Sequence, residues 1–114
     1  MPIPSGNGSE VLKNVNGTVA NATTSVITAV DTNHIITVLS IVLFNTHGSS
    51  TMPCGITLNN GSADLKITYT ELKTQDTFVW NDRIVLHPTH ILKIYEQGNL
   101  TLNYWVSYIE QDWS

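Results

Sequence analysis

Two histidines three residues apart, in His87-Pro88-Thr89-His90, are the only close pair of metal-type side chains in this 114-residue sequence. A zinc site needs three or four ligands converging at about 2.0–2.3 Å. The sole cysteine, Cys54, has no second thiol to join it. No metal site is therefore expected, and the histidine pair reads as a turn. His34 and His47 flank an apolar segment and read as ordinary loop residues. Nucleophilic catalysis asks for a serine or cysteine with a histidine base held by a third group. There is no Gly-x-Ser-x-Gly turn, and Cys54 sits between Pro53 and Gly55 at the start of a strand-like segment, the place of a small buried filler. The carboxylates Glu71, Asp76 and Asp82 fall singly at expected turns, and nothing favours the paired arrangement that glycoside hydrolysis uses. No catalytic residue, metal or cofactor is assigned, and the chain reads as a protein that is not an enzyme.

Binding chemistry is equally sparse. Trp80, Trp105 and Trp113 offer aromatic faces that can stack on a sugar, which keeps a carbohydrate-binding module among the alternatives. Trp80 ends a strand-like segment and Trp105 lies inside one, so core or subunit contact is the preferred reading. Asn16-Gly17-Thr18, Asn21-Ala22-Thr23, Asn60-Gly61-Ser62 and Asn99-Leu100-Thr101 match the glycosylation acceptor pattern. A chain this rich in Asn, Ser and Thr produces such matches by chance.

Composition bounds the answer further. Nine acidic against five basic residues give a net charge of −4, which argues against a surface that reads nucleic-acid phosphates. No apolar run approaches the ~18 residues of a membrane-spanning helix, so no membrane partner is expected. The opening Met1-Pro2-Ile3-Pro4 lacks the basic and apolar regions of a secretion signal. Charged residues make up 12% of the chain, half the usual share of about a quarter. Cys54 alone rules out a disulfide within the chain, so packing and ladder hydrogen bonds must hold the fold. One domain of this size buries roughly two thirds of its unfolded surface.

The elements that position these residues are strands. Residues 1–9 form an expected flexible arm with two prolines and two glycines, and residues 10–114 a single domain. Strand-like segments cover 10–16 and 18–30, with Asn16-Gly17 as a hairpin signal between them, then 34–45, 54–59 and 64–70. Others follow at 76–80, 83–86, 91–96 and 100–110. Asp31-Thr32-Asn33, His47-Gly48-Ser49-Ser50, Asn60-Gly61, Asn81-Asp82, His87-Pro88 and Gln97-Gly98-Asn99 punctuate them. In 64–70, Leu65, Ile67 and Tyr69 alternate with Lys66 and Thr68 and are expected to point inward. No segment keeps a helical period. The expected fold is all-β, an antiparallel β-sandwich of jelly-roll type with about eight strands. Its core should include Ile41, Leu43, Ile67, Tyr69, Ile84, Leu86, Ile94, Leu102, Tyr104 and Val106.

One strand departs from the rule of one wet face. In residues 35–44, Ile35, Leu39, Ile41 and Leu43 fill odd positions, while Ile36, Val38, Val42 and Phe44 fill even ones. The last strand behaves alike, with Trp105 and Ile109 interrupting its polar face. One face must be the core; a loop, the arm or another subunit covers the second. Large apolar patches mark interfaces, so another copy of the chain is the expected cover, through Val38, Leu39, Trp105 and Ile109.

An apolar strand ending in Asn45-Thr46-His47-Gly48-Ser49 comes first, then Gly55-Ile56-Thr57-Leu58-Asn59. Asp76-Thr77-Phe78-Val79-Trp80, Arg83-Ile84-Val85-Leu86 and an aromatic last strand follow. Over roughly residues 20–110 this order resembles the small β-sandwich virion proteins of tailed bacteriophages. In place of the Val-Pro-Ala-Gly-type turn that many of them carry before the long apolar strand, this chain has Ala29 to His34. The resemblance implies a structural protein of the virion: a capsid decoration (cement) protein on the shell surface, or alternatively a tail, neck or fibre component. As a cement protein it would be a homo-oligomer, most plausibly a trimer, with the major capsid protein or another virion protein as its partner. No binding residue is carried over.

Overall fold

The structure, a computed structural model, describes residues 9–28 and 30–112. Most of the expected arm, Met1 to Gly8, and Trp113 lie outside the described residues. Seven antiparallel strands run in chain order: β1 (Ser9–Ile27), β2 (His34–Asn45), β3 (Met52–Asn59), β4 (Asp64–Leu72), β5 (Thr77–Trp80), β6 (Ile84–Leu86) and β7 (Ile91–Asp112). The all-β expectation holds, with seven strands in place of about eight.

The difference comes from two mergers. Asn16-Gly17 is not a hairpin: β1 runs straight through it, with Asn16 opposite Trp105 and Gly17 opposite Tyr104. Gly17 serves a neighbour instead, since a Cβ there would stand 2.9 Å from the Tyr104 hydroxyl. Gln97-Gly98-Asn99 does not end a strand either, and β7 continues across it. Asn60-Gly61 does turn the chain between β3 and β4, in a four-residue loop. The Asn60 side chain accepts from the backbone N–H groups of Ser62 and Ala63, and Gly61 takes φ +94°, the left-handed region a glycine enters at no steric cost.

The two merged strands make the architecture. β7 pairs with β1 along nearly its whole length. Its other edge meets β3 through residues 91–96 and β2 through residues 102–112. One layer is therefore β4-β3-β7-β1, using the first part of β7 and the last part of β1. The other is β5 and β6 on β2, then the rest of β7 and β1. β1 and β7 bend together from layer to layer. A bulge at Ala20 to Ala22 breaks the ladder there, and Asn21 and Asn99 adopt φ +48° and +59°, positions asparagine tolerates better than other non-glycine residues.

A buried carboxylate holds that bend. Glu96 is 1% exposed; its Oε1 accepts from the backbone N–H of Asn21 at 2.6 Å and of Leu100 at 3.1 Å, and its Oε2 from Gly98 at 2.5 Å. The turn thus gives one acidic side chain three donors that the sheet ladder leaves free. A second buried polar residue, Asn45, closes the far end of β2. Its Nδ2 lies within bonding distance of the carbonyls of Ser50, Leu72 and Lys73, and its Oδ1 accepts from the His47 N–H.

Between the layers lie Val38, Ile41, Leu43, Met52, Cys54, Ile56, Leu92, Ile94, Leu102 and Val106, each fully buried. Ile84 and Leu86 are buried too, while Ile67 and Tyr104 pack half-buried at the core's margin. Tyr69 is a correction, at 54% exposed, and Leu65 is exposed as well. A register shift between Ile56 and Thr57 absorbs Ile67, so Thr68 lies opposite the core residue Ile56 and Tyr69 faces out. On that outer side the Tyr95 ring crosses Gly55, where a Cβ would collide with it, and its hydroxyl donates to the Thr68 carbonyl at 2.8 Å.

Glu96→Ala should destabilise the protein by about 3–5 kcal/mol, because it strands several buried N–H groups at once. Glu96→Gln, which keeps acceptor capacity, should cost about half as much. Urea unfolding measures both; a loss under about 1 kcal/mol for Glu96→Ala would show that the bend does not depend on this residue.

Candidate functional site

The apolar doubling of residues 35–44 has a local cause. A bulge between Val38 and Ser40 shifts the register of β2 against β7. Even positions point inward before it (Ile36, Val38) and odd positions after it (Ile41, Leu43). Val38, fully buried in the core, is therefore no interface residue; Leu39 sits half-buried at the bulge itself. The outer face of β2 carries Thr37, Ser40, Val42 and Phe44, so it is mixed rather than uniformly apolar. Alternation alone cannot show a parity change inside a strand.

Across that face the registers line up an apolar row. Trp105 on β7 lies beside Val42 on β2, and Val42 beside Val79 on β5. Trp105 is 50% and Val79 47% exposed, and Phe44 is half-buried one row away. A second row joins Leu12, Ile109, Thr37 and Val85, with Leu12 71% and Val85 51% exposed. A polar row of Asn14, Ser107 and Ser40 separates the two. Trp105 and Ile109 therefore do lie on one outward surface, together with Val42, Val79, Val85 and Leu12, which pattern reading missed. Val79 and Val85 belong to strands of four and three residues, too short to show which way they face.

The sequence-level binding candidates scatter. Trp80 packs toward the core while Trp105 faces out, so the two share no platform for a sugar. The His87 and His90 rings stand 5.8 Å apart, and His90 Nδ1 is occupied in accepting the backbone N–H of His87. Among the described residues no three His, Cys, Asp or Glu side chains converge as metal ligands. Cys54 is 0% exposed, and burial pushes its thiol up to about 11, far from the thiolate a nucleophile needs.

An ion cluster appears where none was expected. At one end of the second layer Lys13 Nζ donates to Glu110 Oε1 and His34 Nδ1 meets Glu110 Oε2, both at 2.7 Å; His34 Nε2 lies 3.6 Å from Asp112. His34 opens β2 rather than sitting in a loop. The cluster joins β1, β2 and β7, three strands far apart in sequence, so only the register reveals it. Beside it lies a cleft of about 270 Å³, lined by Val15, Val30, Asp31, Ile36, Tyr108 and Glu110 among others.

No family model matches the chain, and no curated protein matches it in sequence. Solved structures share its fold, among them the following two. A chain of the T13 viral particle of IBDV, an icosahedral virus, superposes with a TM-score of 0.58 at 12% identity over 90% of this chain, which spans 31% of that one. A subunit of Bacillus endospore appendages, a family of disulfide-linked pili, gives 0.56 at 10% identity, covering 94% of this chain and 89% of that one. At such identities the likeness is one of fold.

The hydrogen bond from Lys13, against the opposing effect of burial, holds the Glu110 carboxyl below its usual 4.5, with His34 assisting. A carboxyl depressed in the folded state contributes stability that is complete above about 4.5 and is lost as pH falls toward and through its folded value. Acid titration of stability should therefore be shallower in Glu110→Gln than in the parent below pH 4.5. Parallel curves would remove this cluster from the acid response.

Proposed function

We propose that this chain is a non-catalytic structural subunit of a bacteriophage virion, in the first place a capsid decoration protein that associates with copies of itself and stabilises the head shell. The observation that carries this reading is the outward apolar row Trp105–Val42–Val79, with Val85 and Leu12 beside it. A half-exposed tryptophan on an outward sheet face is the kind of anchor that dominates protein interfaces. The low charge of the chain fits association by burial rather than by electrostatic steering. The fold shared with a chain of an icosahedral viral particle supports a place in a shell. A trimer, seated at a local three-fold axis, is the assembly this proposal favours.

A tail, neck or fibre component is the second reading. It is supported by the appendage subunit, whose likeness covers nearly the whole of both chains. Copy number per particle separates the two: a decoration protein scales with the shell subunits, a tail component does not.

Light scattering of the purified chain should show an oligomer at micromolar concentration. Trp105→Lys combined with Val42→Lys should dissociate it while leaving the unfolding temperature nearly unchanged, since neither side chain belongs to the core. A parent that is monomeric, or a double variant that stays assembled, would refute the assignment of this face.

A further inference from the structure

We propose that copies of this chain also join edge to edge, the open edge of β1 in one copy pairing with β4, β5 and β6 of the next, so that both sheet layers continue from molecule to molecule. This inference rests on the reading of the chain as an assembly subunit and concerns the sheet edges, not the outer face.

The four exposed edges are not alike. Among the described residues β1, β4, β5 and β6 each pair with a single neighbour. β5 and β6 are four and three residues long, and very short edge strands are one way in which proteins prevent unwanted pairing. β4 carries Asp64, Lys66 and Glu71, charges that do the same. β1 offers 19 residues of open backbone, and from Asn14 to Ile27 it holds neither a charge nor a proline. Its only charged residues, Glu10 and Lys13, are engaged by Gln111 and Glu110. The stretch from Asn14 to Ile27, without charge or proline and interrupted only by the irregularities at Ala20–Ala22 and Ser25–Ile27, leaves its backbone open to pairing.

Strand polarity fits a second copy as the occupant. β1 pairs antiparallel with β7, β7 with β2, and β2 with β5 and β6, so β5 and β6 run antiparallel to β1. The same count through β3 makes β4 antiparallel to β1. A copy displaced sideways without rotation therefore presents β5 and β6 to the first half of β1, and β4 to the second half, in the correct antiparallel sense. One displacement extends both layers. Such a contact is heterologous: repeated as a pure displacement it runs on as a fibre, and with a rotation between copies it closes into a ring such as a trimer.

Charge agrees with this arrangement. The registers place Trp80 level with Val15, and Ile84 level with Lys13. The loop between them, Asn81 to Arg83, thus sits level with the stretch from Lys13 to Val15, and the Glu110 that Lys13 binds lines a cleft together with Asp31. Among the described residues the side chains of Asp82, Arg83 and Asp31 make no hydrogen bond or ion pair, so the acid and the base of the loop meet a cluster that also holds both signs of charge. The charges of β4 face the uncharged end of β1, where nothing repels them.

Thr18→Lys with Thr23→Lys places two charges on exposed positions of β1. Sedimentation should show association weakened by at least about tenfold, with the unfolding temperature retained. Arg83→Asp should weaken association, and adding Asp31→Arg should restore it, a rescue that only contact between two copies produces. Unchanged association in the β1 double variant, with Trp105→Lys still dissociating the oligomer, overturns the edge contact and leaves the face standing. A parent that is monomeric at every concentration overturns both. If the β1 variant fails to fold, the loop pair decides: no loss with Arg83→Asp, or no rescue by Asp31→Arg, refutes the proposal.

Discussion

The pairing of β1 with β7 is the interaction on which the rest of this molecule depends. These two strands belong to both layers, and every other strand is attached to β7 directly or through a strand that is. Two long strands can serve two layers only if they bend at the same level, and a bend breaks ladder hydrogen bonds that buried backbone cannot lose without cost. Glu96 resolves the conflict by accepting the freed N–H groups from both sides of the bend, with Asn21 and Asn99 supplying the backbone conformations that a strand residue avoids. A buried acid is normally a liability; here the broken ladder makes it necessary.

The same constraint produces the surfaces. Because β1 accompanies β7 across both layers, one strand becomes the free edge of the whole sandwich on one side, opposed by three strands on the other. Because β2 must match β7 on one side and β5 and β6 on the other, it bulges near its middle, sending Val42 and Phe44 outward beside Trp105. An apolar outward face for packing and a long edge for pairing both follow from how the core is closed. These two surfaces are what the proposed role as a building unit rests on, in a fold shared with a chain of a viral particle and a subunit of spore appendages.

Much of this was legible in the residues. Strand composition pointed to the all-β class, Asn60-Gly61, Asn81-Asp82 and His87-Pro88 to short connections between strands, and the apolar positions near Ile41, Ile94 and Leu102 to most of the core. What stayed hidden has one physical origin. Period-two alternation says that the faces of a strand differ, but it neither names the inner face nor survives a bulge. Hence Tyr69, expected inward, faces out beyond a register shift, and the odd and even positions of residues 35–44, between which alternation could not choose, exchange faces at the bulge between Val38 and Ser40. Asn16-Gly17 carries the residues of a hairpin, yet pairing with β7 and the Tyr104 ring over Gly17 outweighed local turn preference. The cluster of Lys13, His34 and Glu110 and the Glu96 bend join residues some 75 to 97 positions apart, a distance at which local pattern says nothing.

The central claim, that β1 is an edge closed by another copy, is tested most directly by amide hydrogen exchange followed strand by strand at concentrations above and below assembly. The amides of β1 between Asn14 and Ile27 that point away from β7 should exchange rapidly in the dissociated chain and slow markedly on assembly, with β4, β5 and β6 gaining protection in step. Assembly that leaves these amides as fast as before, while protecting only other parts of the chain, would contradict the account.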